Sequence, residues 1–141
     1  MHYTDRATSF EEWGDFIMHE ERNRAVEQVV SHIMLDMGIP AHLKGYRYMR
    51  TAVIMAERDM KVVGSVTKLL YPEIAKNYNT TDGKVERAIR NAIEISWERG
   101  NRHTFEHLFG YCMESGQGRP TNSEYIAAIA DEVHVRLAAA S

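Results

Sequence analysis

Two stretches of this chain carry side chains of the kind and spacing that chemistry needs. In the first, DGKVERAIRNAIEISW from Asp82 to Trp97, the residues Lys84, Glu86, Arg87, Arg90 and Asn91 fall on the side of a helix that the apolar positions leave free. Lysine and arginine can donate to guanine O6 and N7, and a carboxylate can accept from cytosine N4. A helix bearing these residues in its first half therefore has the donors and acceptors to read a major groove. The same face suits two plainer uses. Glu86–Arg90 and Arg90–Glu94 are i,i+4 pairs that steady a solvated helix without any ligand, and a charged helix can equally dock on a protein.

The second stretch is HTFEH, His103 to His107. Its His-x-x-Glu-His spacing is that of the inverted zinc-protease motif, with two histidines one helical turn apart for the metal and a glutamate for the zinc-bound water. Among seven histidines a pair at this spacing is unsurprising, and the surrounding Phe105, Leu108 and Phe109 are needed for a core. A third ligand would have to come from Glu114, Glu124, Asp131 or Glu132. A plain surface pair is the expectation, with no metal, no cofactor and no catalysis. No Gly-x-Gly-x-x-Gly, Walker loop or Gly-x-Ser-x-Gly occurs to anchor phosphate-loop or esterase chemistry.

The elements that must position the first stretch begin at Tyr71. Pro72 suits a first helical position, where its missing N–H has no partner, and Glu73 suits the positive end of the same helix. Ile74, Ala75 and Tyr78 give that short helix one apolar face, and Asn79 tolerates the left-handed conformation that ends a helix abruptly. Thr80, Thr81 and Asp82 can cap the next helix, whose apolar positions Val85, Ala88, Ile89, Ala92, Ile93 and Trp97 recur at three- and four-residue intervals. A short helix, a tight turn and a longer helix together predict a helix-turn-helix.

Charge sorts along the chain. The whole carries 17 Lys plus Arg against 20 Asp plus Glu, a net −3 that argues against nucleic acid if read globally. Lys61 to Arg102, however, holds 8 basic residues against 5 acidic ones, so the central segment can face phosphates while the rest stays in solvent. Lys68, Lys76 and Arg90, with Lys44 and Tyr46 from the aromatic and basic run before Arg50, are the expected phosphate contacts.

The remaining segments read as helices. Ser9 and Glu12 have capping-box spacing ahead of Phe10, Trp13 and Ile17. The polar run HEERNR, His19 to Arg24, then interrupts the stripe without a Gly or Pro, so either one long helix turns a solvated middle outward or two helices join near Glu20; the restart at Val26, continuing to Met37, favours the join. Trp13 and Phe16 are expected to pack on the same domain, the other reading being a partner-binding face. GIPAHLKG, Gly38 to Gly45, is a loop; Tyr46 to Met60 is a helix whose Met49, Met55 and Met60 fill gaps in a core. Lys61 to Leu70 fits a short helix better than a strand, because no alternating partner exists. Arg99–Gly100–Asn101 closes the long helix, Thr104 to Tyr111 is short and helical, and Glu114 to Arg119 is a loop. Thr121 and Glu124 then open the final helix, which runs through Tyr125, Ile129, Val133 and Leu137. The class is all-α.

A chain of 141 residues with 44% apolar content can bury one ordinary core, which organises it as an N-terminal helical extension (residues 1–25) and one domain (residues 26–141). No window approaches the roughly 20 apolar residues of a membrane span, and the acidic start HYTDRATSFEEW lacks the regions of a signal peptide. The single Cys112 forms no internal disulfide and fits a reducing cytoplasm, with no membrane partner expected.

The segments GIPAHLKGYRYMRTAV, VGSVTKLLYPEIAKNYNTTDGKVERAIRNAIEISWERGN and PTNSEYIAAIADEV resemble the C-terminal effector domain of the stage-zero A sporulation response regulators, transcription factors of spore-forming Firmicutes, over roughly Val26 to Leu137. The resemblance implies a compact bundle of about six helices that binds short boxes in double-stranded DNA and activates or represses transcription, with RNA polymerase contact as a further implied partner. It marks the helix starting near Thr81 as the recognition helix and Lys84, Glu86 and Arg87 as its base contacts, with Asn91 one turn on. Gly83 stands where the family typically has Ser, and Lys84 where it has Arg, exchanging a planar fork for a flexible point charge. A looser preference under Lys84 is expected. Residues 1–25 are too few for the phosphorylated receiver domain of the family's full-length regulators, so self-association on tandem boxes is expected to come from the helix at Phe10 or the final helix from Thr121. The alternative is a protein-binding or inhibitory module of a sporulation circuit that has lost specific DNA reading.

Overall fold

In a computed structural model, which describes the backbone of residues 10–110 and 118–140 and the side chains from residue 20 onward within them, the apolar intervals become six α-helices. They are α1 (Phe10–Asp36), α2 (Lys44–Arg58), α3 (Tyr71–Asn77), α4 (Asp82–Arg99), α5 (Arg102–Phe109) and α6 (Asn122–Ala140). Among the described residues no strand forms. The segment before α3 is helical, as its sequence predicts, but wound unevenly: a 3₁₀ stretch, Met60–Ser65, passes into a π turn, Val66–Leu70, that runs directly into α3.

The core is one cluster to which every α-helix contributes. Ile33, Met49, Ile74, Ile89, Phe105 and Ile129 are each at most 1% exposed. Burying an aliphatic side chain of this size stabilises by about 1.5–3 kcal/mol, so the alternating faces of six helices are what hold the bundle. Met49 and the half-buried Met55 serve the core as expected, whereas Met60 is 39% exposed at the start of the 3₁₀ stretch.

The expected join near Glu20 is absent: α1 is one 27-residue helix that carries HEERNR through its middle. The reason is twofold. The run contains no Gly or Pro and includes Glu and Arg, which lose little side-chain freedom in a helix. Its polar residues also have partners on α2, since Arg22 Nη2 donates to Glu57 Oε2 at 2.5 Å and Arg58 Nη2 to Asn23 Oδ1 at 2.9 Å. The polar interruption is the place where α1 crosses the end of α2. Ser9, the side chains of Phe10, Trp13, Phe16 and Ile17, and residues 111–117 with Cys112 and Glu114 lie outside the described residues.

Polar groups inside the bundle are paired. Ser96, fully buried on α4, donates to the Met37 carbonyl oxygen at 2.5 Å, and that carbonyl can only accept. Tyr125 of α6, 2.6 Å away, must therefore donate its hydroxyl hydrogen to Ser96 Oγ. Burial raises the Tyr125 phenol above its ordinary pKa and keeps it the donor this chain requires. Glu57, 5% exposed, has Arg22 on one side and His134 Nε2 on the other, 2.9 Å from its carboxylate and 2.7 Å from its backbone oxygen.

Backbone contacts set the helix spacing. Gly45, read from sequence as the end of a loop, lies in the first turn of α2, and a Cβ there would meet the Ala88 carbonyl oxygen of α4 at 2.2 Å. Gly38 ends α1 with φ +75, and a Cβ on it would meet the Gly100 nitrogen at 2.9 Å. Gly100 caps α4 as the run Arg99–Gly100–Asn101 predicts, and Asn101 caps α5 by accepting from the Thr104 N–H at 3.2 Å, so that α5 starts at Arg102 and not at Thr104.

Two substitutions test this packing. Gly45→Ala should destabilise by about 1–3 kcal/mol through forced separation of α2 and α4. Ser96→Ala should cost about 1–3 kcal/mol because it strips the buried Met37 carbonyl of its donor and Tyr125 of its acceptor. Urea unfolding followed by circular dichroism reads both as a lower midpoint at unchanged slope.

Candidate nucleic-acid interface

The local signals at Tyr71–Trp97 produce the expected unit. Pro72 lies in the first turn of α3, and the chain leaves that helix through Asn79, whose φ of 53 is the left-handed value its type tolerates. The Thr80 N–H donates to the Ala75 carbonyl at 2.9 Å, closing the end of α3. Thr81 then caps α4 by accepting from the Lys84 N–H at 3.3 Å. The turn is tied to the bundle as well: the Tyr78 hydroxyl is 2.8 Å from Thr51 Oγ1 of α2, and its ring packs edge-on against Tyr48 at 5.1 Å.

On α4 the two faces separate cleanly. Val85, Ile89, Ala92, Ile93 and Ser96 are buried, and Lys84, Arg87, Arg90 and Asn91 are exposed. Glu86 lies between, half-buried, and binds Arg90 one turn on: Arg90 Nε donates to Glu86 Oε2 at 3.0 Å and Arg90 Nη2 donates to the same oxygen. A Cβ at Gly83 would lie 3.5 Å from Arg87 Nη1, so the arginine folds back over the position where the resemblance places a serine.

The expected phosphate contacts divide. Lys68 and Lys76 are exposed in the π turn and the last turn of α3, and Lys44 is exposed as the first residue of α2, which rests on α4 at Gly45. Tyr46 is placed differently. It carries the Arg50 guanidinium 5.7 Å from its ring centre and, with Arg50, Arg24 and His32, lines an open groove between α1 and α2. Successive helix positions turn by 100°, which puts Tyr46 on the side of α2 opposite Tyr48 and the turn.

Asn122 is the residue that sequence reasoning missed. Its one amide nitrogen donates to the Tyr71 hydroxyl at 2.8 Å and to the Glu86 backbone oxygen at 3.2 Å, joining the start of α6 to both α3 and α4. Burial raises the Tyr71 phenol above its ordinary pKa, against a lowering influence of the Asn122 bond. Nearby, Arg119 Nη2 reaches Glu94 Oε1 at 3.1 Å. The only local signal in PTNSEY was the capping box, which forms as expected: Thr121 N–H to Glu124 Oε1 at 2.9 Å and Glu124 N–H to Thr121 Oγ1 at 3.1 Å.

In HTFEH, His107 Nε2 lies 3.1 Å from Glu132 Oε1 of α6, and Arg136 Nε donates to the other oxygen of that carboxylate at 2.8 Å. Among the described residues no three His, Cys, Asp or Glu side chains converge on a point where a metal ion would fit. Partial burial works to raise the Glu132 pKa, but the hydrogen bonds from Arg136 and His107 outweigh it and the net shift is downward. A depressed carboxyl contributes stability that is complete above its unfolded value, ordinarily 4.5, and is lost as pH falls through the folded one. Glu132→Gln should therefore lower stability at neutral pH and flatten the acid limb below pH 4.5, read as thermal midpoint against pH.

No helix among the described residues is long and apolar enough to cross a membrane. The bundle, the helix-turn-helix and the exposed face of α4 coincide with the match of residues 30–133 to the family described as Sporulation initiation factor Spo0A C terminal, and the chain belongs to that family.

Proposed function

We propose that this domain is a sequence-specific DNA-binding regulator of transcription, with α4 in the major groove and Lys84, Glu86, Arg87 and Asn91 at base edges. The observation that carries the reading is the division of α4. Its apolar stripe is used up by the core, while Lys84, Arg87 and Asn91 stay exposed on one side, held at a fixed angle by the Thr81 cap and the Asn79 turn. Donors on a rigid helix lose little freedom on binding. Lys68, Lys76 and Lys44 flank this face as phosphate contacts that fix register without reading sequence. The activity is binding, not catalysis, on chromosomal DNA in the cytoplasm. Two copies would occupy tandem boxes, with α1 or α6 as the self-associating element and RNA polymerase as the downstream partner.

The test is binding to a duplex carrying two family-type boxes against a scrambled duplex, across a salt series. Preference of about 1,000-fold or more, falling steeply with salt, is expected. Equal weak binding to both would overturn the reading in favour of a protein-binding module, which the net charge of −3 and the Gly83 and Lys84 departures favour. Arg87→Ala should cost about 1–3 kcal/mol on the boxed duplex and relax specificity, whereas Lys76→Ala should weaken all duplexes alike and reduce the salt slope by about 1. Lys84→Arg should sharpen discrimination at one position of a panel of single-base variants.

A further inference from the structure

We infer that Arg90 is a positioning residue for Glu86, holding its carboxylate for a base edge, and is not itself a phosphate contact. The inference rests on the DNA-reading function proposed above. Two of the three Arg90 guanidinium nitrogens, Nε and Nη2, donate to a single oxygen of Glu86, Oε2. The other oxygen, Oε1, is left as an acceptor. Arg90 is 48% exposed and Glu86 32%, so the pair sits at the rim of the reading face with the carboxylate nearer the bundle.

The main chain of Glu86 is held as well. Asn122 Nδ2, from the start of α6, donates to the Glu86 backbone oxygen, and it also donates to the hydroxyl of the buried Tyr71. Glu86 is thus restrained at both ends, its carbonyl from another helix and its carboxylate from the next turn of its own. Among the described residues no comparable hold acts on the side chains of Lys84 or Arg87.

Two physical consequences follow. A glutamate free in solution loses rotamer freedom when it meets a base, and one already fixed by a guanidinium has lost it on folding. A lone carboxylate also enters a groove walled by phosphates against their repulsion, whereas a carboxylate paired with Arg90 enters as a neutral unit that still presents Oε1 to an exocyclic amino group such as N4 of cytosine. An Arg90 that turned its Nε edge to a phosphate would leave Glu86 behind, bare and misplaced. The Nε edge of the Arg90 guanidinium, the edge that meets a carboxylate or phosphate as a fork, is already turned to Glu86.

The experiment is an anisotropy titration of the wild type, Glu86→Ala, Arg90→Ala and the double variant. The duplexes are the boxed one and a panel with each base pair changed singly, at several salt concentrations. Wild type should prefer one base pair at the Glu86 position by roughly tenfold. Glu86→Ala should erase that preference. Arg90→Ala should erase most of it at the same base pair and none elsewhere, the double variant should be no worse there than Glu86→Ala alone, and the salt slope should hold. Arg90→Ala that weakens every duplex alike and makes the slope shallower by about 1 would overturn the inference in favour of a phosphate contact. An Arg90→Ala variant with all preferences intact would overturn it in favour of a plain helix-stabilising pair. A wild type with no preference among duplexes would sink the DNA-reading function first, before any variant is compared.

Discussion

At Gly45 the backbones of α2 and α4 approach so closely that one added carbon would lie 2.2 Å from the Ala88 carbonyl oxygen. Everything that α4 offers to solvent depends on this contact. It lets Val85, Ile89 and Ala92 reach the core at the depth where they are fully buried, and it leaves the opposite edge of the helix outside the bundle. A wider spacing would open voids along the stripe, and a protein interior packed at crystal density does not tolerate them cheaply. The turn before α4 is held to the same helix, because Tyr78 packs on Tyr48 and bonds to Thr51. Helix α2 therefore acts as the platform on which both parts of the helix-turn-helix are set.

Apolar contact alone would permit the helices to slide, since aliphatic surfaces exchange neighbours at little cost. Directional bonds between distant segments remove that freedom. Ser96 joins α4 to the end of α1 through Met37 and to α6 through Tyr125, and Glu57 joins α2 to α1 through Arg22 and to α6 through His134. Each of these groups is costly to bury without its partners, so the register in which all are satisfied is favoured over neighbouring registers. Asn122 extends the same logic to the reading face by fixing the start of α6 against α3 and α4 together.

Local rules were the legible part. The caps at Thr81 and Thr121, the left-handed turn at Asn79 and the buried stripe of α4 each depend on residues within about one or two helical turns of each other, and the structure forms each of them as its sequence predicts. Elsewhere a residue's use depends on what it meets. No join forms at HEERNR because a polar run without Gly or Pro does not break a helix; α1 turns most of the run to solvent, and Arg22 and Asn23 find partners 35 residues away. The run Arg99–Gly100–Asn101 ends α4 at Gly100 as expected, and Asn101 goes on to cap α5, a second use that a short polar residue between two helices suits. Gly45 lies in a helix although the sequence marks Gly38 to Gly45 as loop, because what calls for glycine there, close approach to Ala88, lies on another element.

By itself the sequence determined the all-helical class, the helix-turn-helix and the identity of the residues on the outer face of α4, since periodicity and capping act over a few residues and need no partner. Family membership was legible for the same reason, in long runs of consecutive residues. Only the tertiary structure decided that α1 is unbroken, that Tyr46 turns toward the groove with Arg50 and that Asn122 holds the backbone of Glu86. Those outcomes come from contacts between residues far apart in the chain, and no spacing rule encodes a partner whose distance along the sequence is set by how the helices pack.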